Sequence, residues 1–382
     1  MIAVPKETAP GERRVALVPE VVRALVKDGF QVAVETGAGA AAGFPDALFR
    51  DAGASLAPDA AALLASADLV VKVRPPRALD GRHEVDLLRP GSILLGFLRP
   101  LDEPELAAKL AARGVSAFAM ELMPRITRAQ AMDALSSQAT IAGYRAVLLG
   151  ASVLPKIFPM LVTAAGTLSA ARVFVVGAGV AGLQALATAK RLGAVTEAYD
   201  VRPAAKEQVL SVGARFVELA LETADSEDKG GYAKAQSEEF YRKQRELLGE
   251  RVRAADVVIT TALVPGRRAP VLVEPEAVRG MRPGSVLVDL AAEQGGNCPL
   301  TQADRVVIEN GVTILGPTNL PSEAPLHASQ MYARNVSAFL RHLAPKAQLA
   351  LDLSDELTRA PLLTHEGKLV NEAVQARLGG AA

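Results

Sequence analysis

The sequence has no tryptophan, one cysteine and four histidines. A lone Cys298 excludes an internal disulfide and any thiolate metal cluster. His83, His327, His342 and His365 include no pair at the i, i+4 spacing of a zinc helix, so no metal is expected. Neither sign of charge is in excess, with 42 basic and 42 acidic side chains. A nucleic-acid partner would need a basic face to displace counterions from phosphate, so that class is set aside. A small anionic ligand needs only a few local donors and stays open. Apolar runs are broken before the roughly 20 residues of a lipid span. The run from Ile157 to Ala171 contains Pro159 and Gly166, and the run from Val173 to Ala189 is glycine-rich. No basic segment followed by an apolar run opens the chain, so no secretory signal is expected. A soluble chain in a reducing cytoplasm is the expectation.

What is present suits two cores. The chain has 382 residues, half of them hydrophobic and only 22% charged, and chains of this length usually divide. Short apolar runs at Ile2–Val4, Gln31–Glu35, Leu69–Val73, Ile93–Leu98 and Ser116–Met120 read as strands. Helical spacing at Pro19–Asp28 and Glu105–Arg113 falls between them. A long helical stretch from Asp133 to Leu149 follows, and then the pattern restarts. Val173–Val176, Val195–Tyr199, Arg215–Val217, Val257–Thr260, Val286–Leu290 and Val312–Leu315 are six candidate strands. Met331–Leu343 is read as a second connecting helix. The predicted fold is α/β, two Rossmann-like doubly wound parallel-sheet domains joined by long helices. Residues 1–135 with 326–382 form a discontinuous first domain, and 136–325 form the second. An internal echo supports two related domains: Ala67-Asp68-Leu69-Val70 precedes Arg89-Pro90-Gly91-Ser92-Ile93-Leu94, and Ala255-Asp256-Val257-Val258 precedes Arg282-Pro283-Gly284-Ser285-Val286-Leu287.

The sharpest chemical signal is the apolar strand Val173–Val176 running into Gly177-Ala178-Gly179-Val180-Ala181-Gly182. Gly177 permits a tight turn, Gly179 lets backbone approach a pyrophosphate, and Gly182 lets helix pack closely on strand. The amides of the following helix then face the phosphates. Asp200 ends the next strand, where a carboxylate accepts the adenine-ribose hydroxyls and repels a 2′-phosphate, which favours NAD over NADP. Val201 and Arg202 follow, and an arginine there blurs the distinction. Thr260, Thr261 and Ala262 leave a parallel strand where ligands of open sheets bind.

A second candidate runs from Arg125 through Gln130, Asp133, Ser136 and Ser137 to Gln138. Asp133 and the serines stand at helical spacing and can share a face, or merely cap a helix. Asp225 to Tyr232 is polar and glycine-containing, either a functional loop or a solvated insertion. Lys72 at a strand end reads as a substrate cation or a surface lysine. Glu293 reads as a site residue or a solvated one.

These segments resemble, almost end to end, the NAD(H)-binding component of the proton-translocating, Re/Si-specific nicotinamide nucleotide transhydrogenases. The resemblance rests on Val4-Pro5-Lys6-Glu7, Arg14–Pro19, the Arg125–Gln138 loop, the glycine turn with Asp200-Val201-Arg202, and Val288-Asp289-Leu290-Ala291. It implies that Arg125, Gln130, Asp133 and Ser136 hold the nicotinamide end of NAD(H). It implies that the stretch around Gly230, Gly231 and Tyr232 closes over bound nucleotide. It also implies a homodimer and direct hydride transfer to NADP(H) on a partner subunit. The NADP(H)-binding and transmembrane subunits would be separate chains, with this one peripheral on the cytoplasmic face of the membrane. Alanine dehydrogenase shares several motifs and is the rival. That family is similar at Lys72, but it keeps a catalytic histidine where Arg99 stands and an aspartate where Glu293 stands. Oxidative deamination needs a proton acceptor, and arginine stays protonated. A non-catalytic NAD-binding module is a third reading.

Overall fold

The structure is a computed structural model and describes residues 1–79, 81–218, 238–264 and 266–379. The chain forms two compact units, 1–138 with 321–382, and 139–320. The junctions fall at 138/139 and 320/321, a few residues from the expected 135/136 and 325/326.

The first unit holds an eight-stranded sheet. Its order is Lys368–Leu369, Leu362–His365, Ser116–Ala119, Ile93–Gly96, Leu69–Val71, Ile2–Val4, Val32–Glu35 and Ser55–Ala57. The six strands that come first in the chain are all parallel, and Leu362–His365 and Lys368–Leu369 run antiparallel at one edge. Parallel strands are buried on both faces, so they read as continuous apolar runs. Alternation then divides them between two cores. Ile2 and Val4 pack on one side with Phe118 and Phe339, and Ala3 packs on the other with Leu94 and Leu110. Pro19–Lys27 begins on a proline, carries Glu20 in its first turn and Lys27 in its last, and buries Val21, Val22 and Leu25.

The second unit repeats the plan. Its sheet runs Arg215–Phe216, Val195–Tyr199, Arg172–Val176, Val257–Thr260, Val286–Asp289, Val312–Leu315, Val306–Glu309. Val173 and Val175 face one core, and Phe174 and Val176 face the other. The six expected strands are present, with a seventh, Val306–Glu309, as an antiparallel edge. Its outward Val306 and Ile308 are exposed, so burial left no signature distinguishing it from a loop.

The internal echo has a structural counterpart. In each unit the echoed segments are neighbouring parallel strands at equivalent places in the sheet. The aspartate before the first strand pairs with the arginine of Arg-Pro-Gly-Ser in both: Arg89 to Asp68 at 2.5 Å, and Arg282 to Asp256 at 2.9 Å.

One connecting helix is as expected and one is not. Ala134–Val153 starts in the first unit and continues into the second. The helix read as Met331–Leu343 is Pro325–Leu343 and lies wholly in the first unit, because the chain returns at 320/321, before it begins. Its buried Tyr332, Val336, Phe339 and Leu340 complete that unit's larger core. The segment Ala151–Ala171 carries an antiparallel hairpin, Leu161–Thr163 with Gly166–Leu168, exposed throughout.

Candidate functional site

In the second unit Arg172–Val176 is the strand from which the order departs in both directions. Open α/β sheets bind ligands outside the carboxyl ends of strands at such a point. The chain leaves it through Gly177, whose φ of 98° is a left-handed conformation that favours glycine. A Cβ there would stand 2.6 Å from Thr261 Oγ1. At Gly182 a Cβ would stand 1.9 Å from the Gly177 carbonyl oxygen, so helix and turn could not meet. Gly179 differs: nothing lies within 4 Å of the Cβ position, so the space in front of it is open. Gly179 is also the N-cap of the helix Val180–Arg191, and it offers no side chain to the first-turn amides. Those donors are left for a ligand. The helix begins at Val180, directly after Gly179, which brings its dipole to the turn.

Asp200 lies just past the end of the adjacent strand and is almost buried. Its Oδ2 accepts the Ala178 N–H at 2.7 Å, tying the two strand ends together. Arg202 donates to the same carboxylate from its backbone N–H at 2.9 Å, from Nε at 2.9 Å and from Nη2 at 2.8 Å. On the other side Thr261 Oγ1 donates to the Gly177 carbonyl at 2.9 Å. Thus Gly177, Ala178, Gly179, Val180, Gly182, Asp200, Val201, Arg202 and Thr261 gather at one strand-end cluster.

Thr260 is a correction. Its hydroxyl is fully buried and donates to Asp289 Oδ1 at 2.8 Å, so it holds the sheet rather than facing a ligand. The Ala262 N–H donates to Asn297 Oδ1 at 3.1 Å. Tyr232, with Gly230 and Gly231, lies outside the described residues.

Three supports had no role assigned from sequence. Asp289 is fully buried and accepts from Thr260, from the N–H groups of Ala291, Asn297 and Cys298, and from Thr301 Oγ1 at 2.7 Å. Asn297 then clamps the loop after Thr260 through the Ala262 and Pro270 carbonyls, each at 2.9 Å. Gly143 is the third. A Cβ on it would come within 2.0 Å of the Ala181 carbonyl oxygen, so its absence lets the long helix lie against the first turn of Val180–Arg191. A glycine inside an apolar helical run was the available signal.

The first unit has the same strand order, but its equivalent strand ends are plugged. Lys72, only 2% exposed, donates to Glu84 Oε1 at 2.9 Å and lies 3.7 Å from Glu7 Oε2. It is neither a surface lysine nor free to meet a substrate. Burial alone would push its ammonium down, but Glu7 and Glu84 outweigh that and hold it above the ordinary range. Burial pushes the Glu7 carboxyl up. Glu7 also takes the Val73 N–H at 2.6 Å, and Tyr332 donates to the Lys72 carbonyl at 2.6 Å.

The Arg125–Gln138 loop follows Ser116–Ala119 in this unit. Arg125 and Gln130 are exposed, and Asp133, Ser136 and Ser137 are half-buried. Asp133 caps the long helix: Oδ1 accepts the Ser136 N–H at 2.9 Å and Oδ2 accepts Ser136 Oγ at 2.6 Å. Ser137 instead donates back to the Ala134 carbonyl at 3.0 Å. Gln138 is buried, accepts from Arg14 Nη1 at 2.9 Å and donates to the Ala328 carbonyl at 3.1 Å.

Arg99 has a φ of 52° and lies 3.6 Å from Asp102 and 3.7 Å from Glu103. Its backbone N–H and that of Leu98 donate to Glu121 Oε1 at 2.5 and 2.9 Å. Burial pushes the Glu121 carboxyl up to about 7, and its other oxygen is buried without a hydrogen-bond partner among the described residues. Glu293 is exposed in the second unit.

Two sheets of this order, one ending in a glycine turn with a carboxylate beside it, define a nicotinamide-nucleotide-binding protein of the α/β class. The chain belongs to the alanine dehydrogenase/PNT family: residues 3–142 match its N-terminal domain and residues 146–372 its C-terminal domain. It is 49% identical, over 98% of each chain, to a Rhodospirillum rubrum protein named as the first of the parts of NAD(P) transhydrogenase subunit alpha. A solved transhydrogenase structure from Sinorhizobium meliloti superposes with a TM-score of 0.87 at 45% identity, covering 97% of this chain and 99% of the other. An alanine dehydrogenase of Halomonas elongata is more distant, 34% identical over 99% of this chain and 96% of its own.

Proposed function

We propose that the chain is the NAD(H)-binding subunit of a proton-translocating transhydrogenase, active together with partner subunits. The observation that carries the reading is the glycine turn with Asp200 beside it, in a chain 49% identical to the Rhodospirillum transhydrogenase subunit over 98% of its length. The turn fits a dinucleotide: Gly179 leaves open space, uncapped amides face it, and a carboxylate stands at the ribose position. Bound there, the nicotinamide nucleotide supplies or receives the hydride.

This chain's residues bind and position. The first-turn amides at Val180 and beyond take the phosphates, and Asp200 takes the ribose. The resemblance gives Arg125, Gln130, Asp133 and Ser136 the nicotinamide end; within the first unit Asp133 fixes Ser136 by two hydrogen bonds. Direct transfer between two nucleotides needs alignment and exclusion of water, not an acid–base pair.

NADP(H) sits on a partner subunit, and the membrane and proton-translocating parts are other chains. The name of the Rhodospirillum relative, a subunit made in more than one piece, supports that division. Among the described residues no helix is long and apolar enough to cross a membrane, which agrees with peripheral attachment on the inner face through those partners. A homodimer is supported by the exposed apolar hairpin, where Val162 is 71% and Leu168 54% exposed.

The test mixes the chain with an NADP(H)-binding partner and follows reduction of an NAD analogue by NADPH. A rate well above either protein alone is expected. Vigorous L-alanine oxidation by the chain alone, or no rate with the partner, would overturn the reading.

A further inference from the structure

The carboxylate assigned to the ribose is already full. An ionised carboxylate has about four lone-pair sites. In Asp200 two are taken on Oδ2, by the Ala178 N–H at 2.7 Å and Arg202 Nη2 at 2.8 Å. Two are taken on Oδ1, by the Arg202 N–H and Nε, both at 2.9 Å. The two backbone donors are fixed by the turn and by the strand end. The two guanidinium donors belong to a rotatable side chain. A ribose diol offers two hydroxyl donors, the same number.

We propose that Arg202 is a displaceable stand-in for the adenine ribose, and that it sets how strongly the site discriminates between NADH and NADPH. This rests on the assignment of Asp200 to the ribose. The guanidinium compensates the charge of Asp200 and satisfies it in an almost buried setting. Entry of the ribose exchanges two charge-assisted hydrogen bonds for two hydroxyl donors, so intrinsic affinity is reduced by the cost of breaking the fork. The released guanidinium remains two residues from the carboxylate, beside the 2′ position. There it provides the site's residual attraction for a 2′-phosphate, against the repulsion from Asp200. Arg202 therefore lowers affinity for NADH while narrowing the preference for it.

The experiment measures NADH and NADPH dissociation constants of the whole chain by fluorescence titration, for Arg202→Lys, Arg202→Gln and Asp200→Asn. Arg202→Lys keeps the charge and loses the planar fork. It is expected to bind NADH about two- to fivefold tighter, the range of an ion pair of modest strength. Arg202→Gln loses the charge too, and its ratio of NADPH to NADH dissociation constants is expected to rise above that of the parent and of Arg202→Lys. Unchanged or weakened NADH binding in Arg202→Lys would overturn the displacement. An unchanged ratio in Arg202→Gln would overturn the discrimination role. Asp200→Asn tests the underlying assignment separately: it is expected to weaken NADH, and NADH affinity equal to the parent's would show that the ribose lies elsewhere.

Discussion

Replacing Lys72 by methionine tests whether the plugged strand ends of the first unit are structural. The substitution keeps the side chain's length and removes its charge. Lys72 is 2% exposed, with Glu84 at 2.9 Å and Glu7 at 3.7 Å, and both carboxylates are as deeply buried. Removing one partner of a buried ion pair costs about 3–5 kcal/mol, chiefly because the other charge is left uncompensated. Here two carboxylates lose their cation, so the upper half of that range is expected. The sign of the pH dependence follows from Glu7. Its folded carboxyl already titrates above its ordinary range because of burial. A group raised in this way favours the folded state below its unfolded pKa and opposes it as pH rises through the folded value. Without Lys72 that opposition grows, so the penalty is larger at pH 8 than at pH 5. With two compact units, a single melting temperature would blur the result. Hydrogen exchange resolved to Ile2–Val4 and Leu69–Val71 reads the first unit directly. Protection there is expected to fall by roughly three to four powers of ten at pH 8. Lys72→Met combined with Glu84→Gln is expected to regain part of it, since one orphaned charge is gone. A loss under about 1 kcal/mol, or one equal at both pH values, would refute the reasoning.

Other outcomes follow from the same geometry. Glu121 titrates near 7 when folded because it is buried. Its contribution to stability is therefore present below its unfolded pKa and lost as pH rises through about 7, and Glu121→Gln is expected to flatten that slope in urea titrations from pH 5 to 8. Gly143→Ala would place a Cβ 2.0 Å from the Ala181 carbonyl oxygen. It is expected to cost about 1–3 kcal/mol and weaken NADH binding by moving the first helical turn, readable by melting and titration together. Arg125→Met is expected to slow hydride transfer, measured in stopped flow with the partner present, more than it weakens NADH binding. Equal losses would argue against a positioning role.

Much of this was legible in the chain. The buried parallel strands announced themselves because burial on both faces leaves continuous apolar runs, as at Val173–Val176 and Val257–Thr260. The turn was legible because each glycine answers a local steric demand: a left-handed φ at Gly177, a carbonyl at Gly182, open space at Gly179. Asp200 was legible by its position just past the next strand. The echoed Asp and Arg-Pro-Gly-Ser segments carried the repeated topology. The edge strands were not legible. Val306–Glu309 exposes one face, with Val306 and Ile308 outward, and Leu362–His365 joins its sheet from the far end of the chain.

What the tertiary structure alone decided is which polar groups are spent. Thr260 and Thr261 are adjacent and look alike in sequence. Alternation sends one hydroxyl into the sheet against Asp289 and leaves the other at the glycine turn. Ser136 and Ser137 differ in the same way, one held by the helix-capping Asp133 and the other bonded back to its own helix. Lys72 is neutralised by Glu84 and Glu7, and the latter lies 65 positions away in the chain. Such pairings depend on three-dimensional proximity, and local sequence carries no record of them. The sequence determined that there are two sheets of one plan and where the turn lies. Only the folded chain determined that one set of strand ends is filled by an ion cluster while the other is left open.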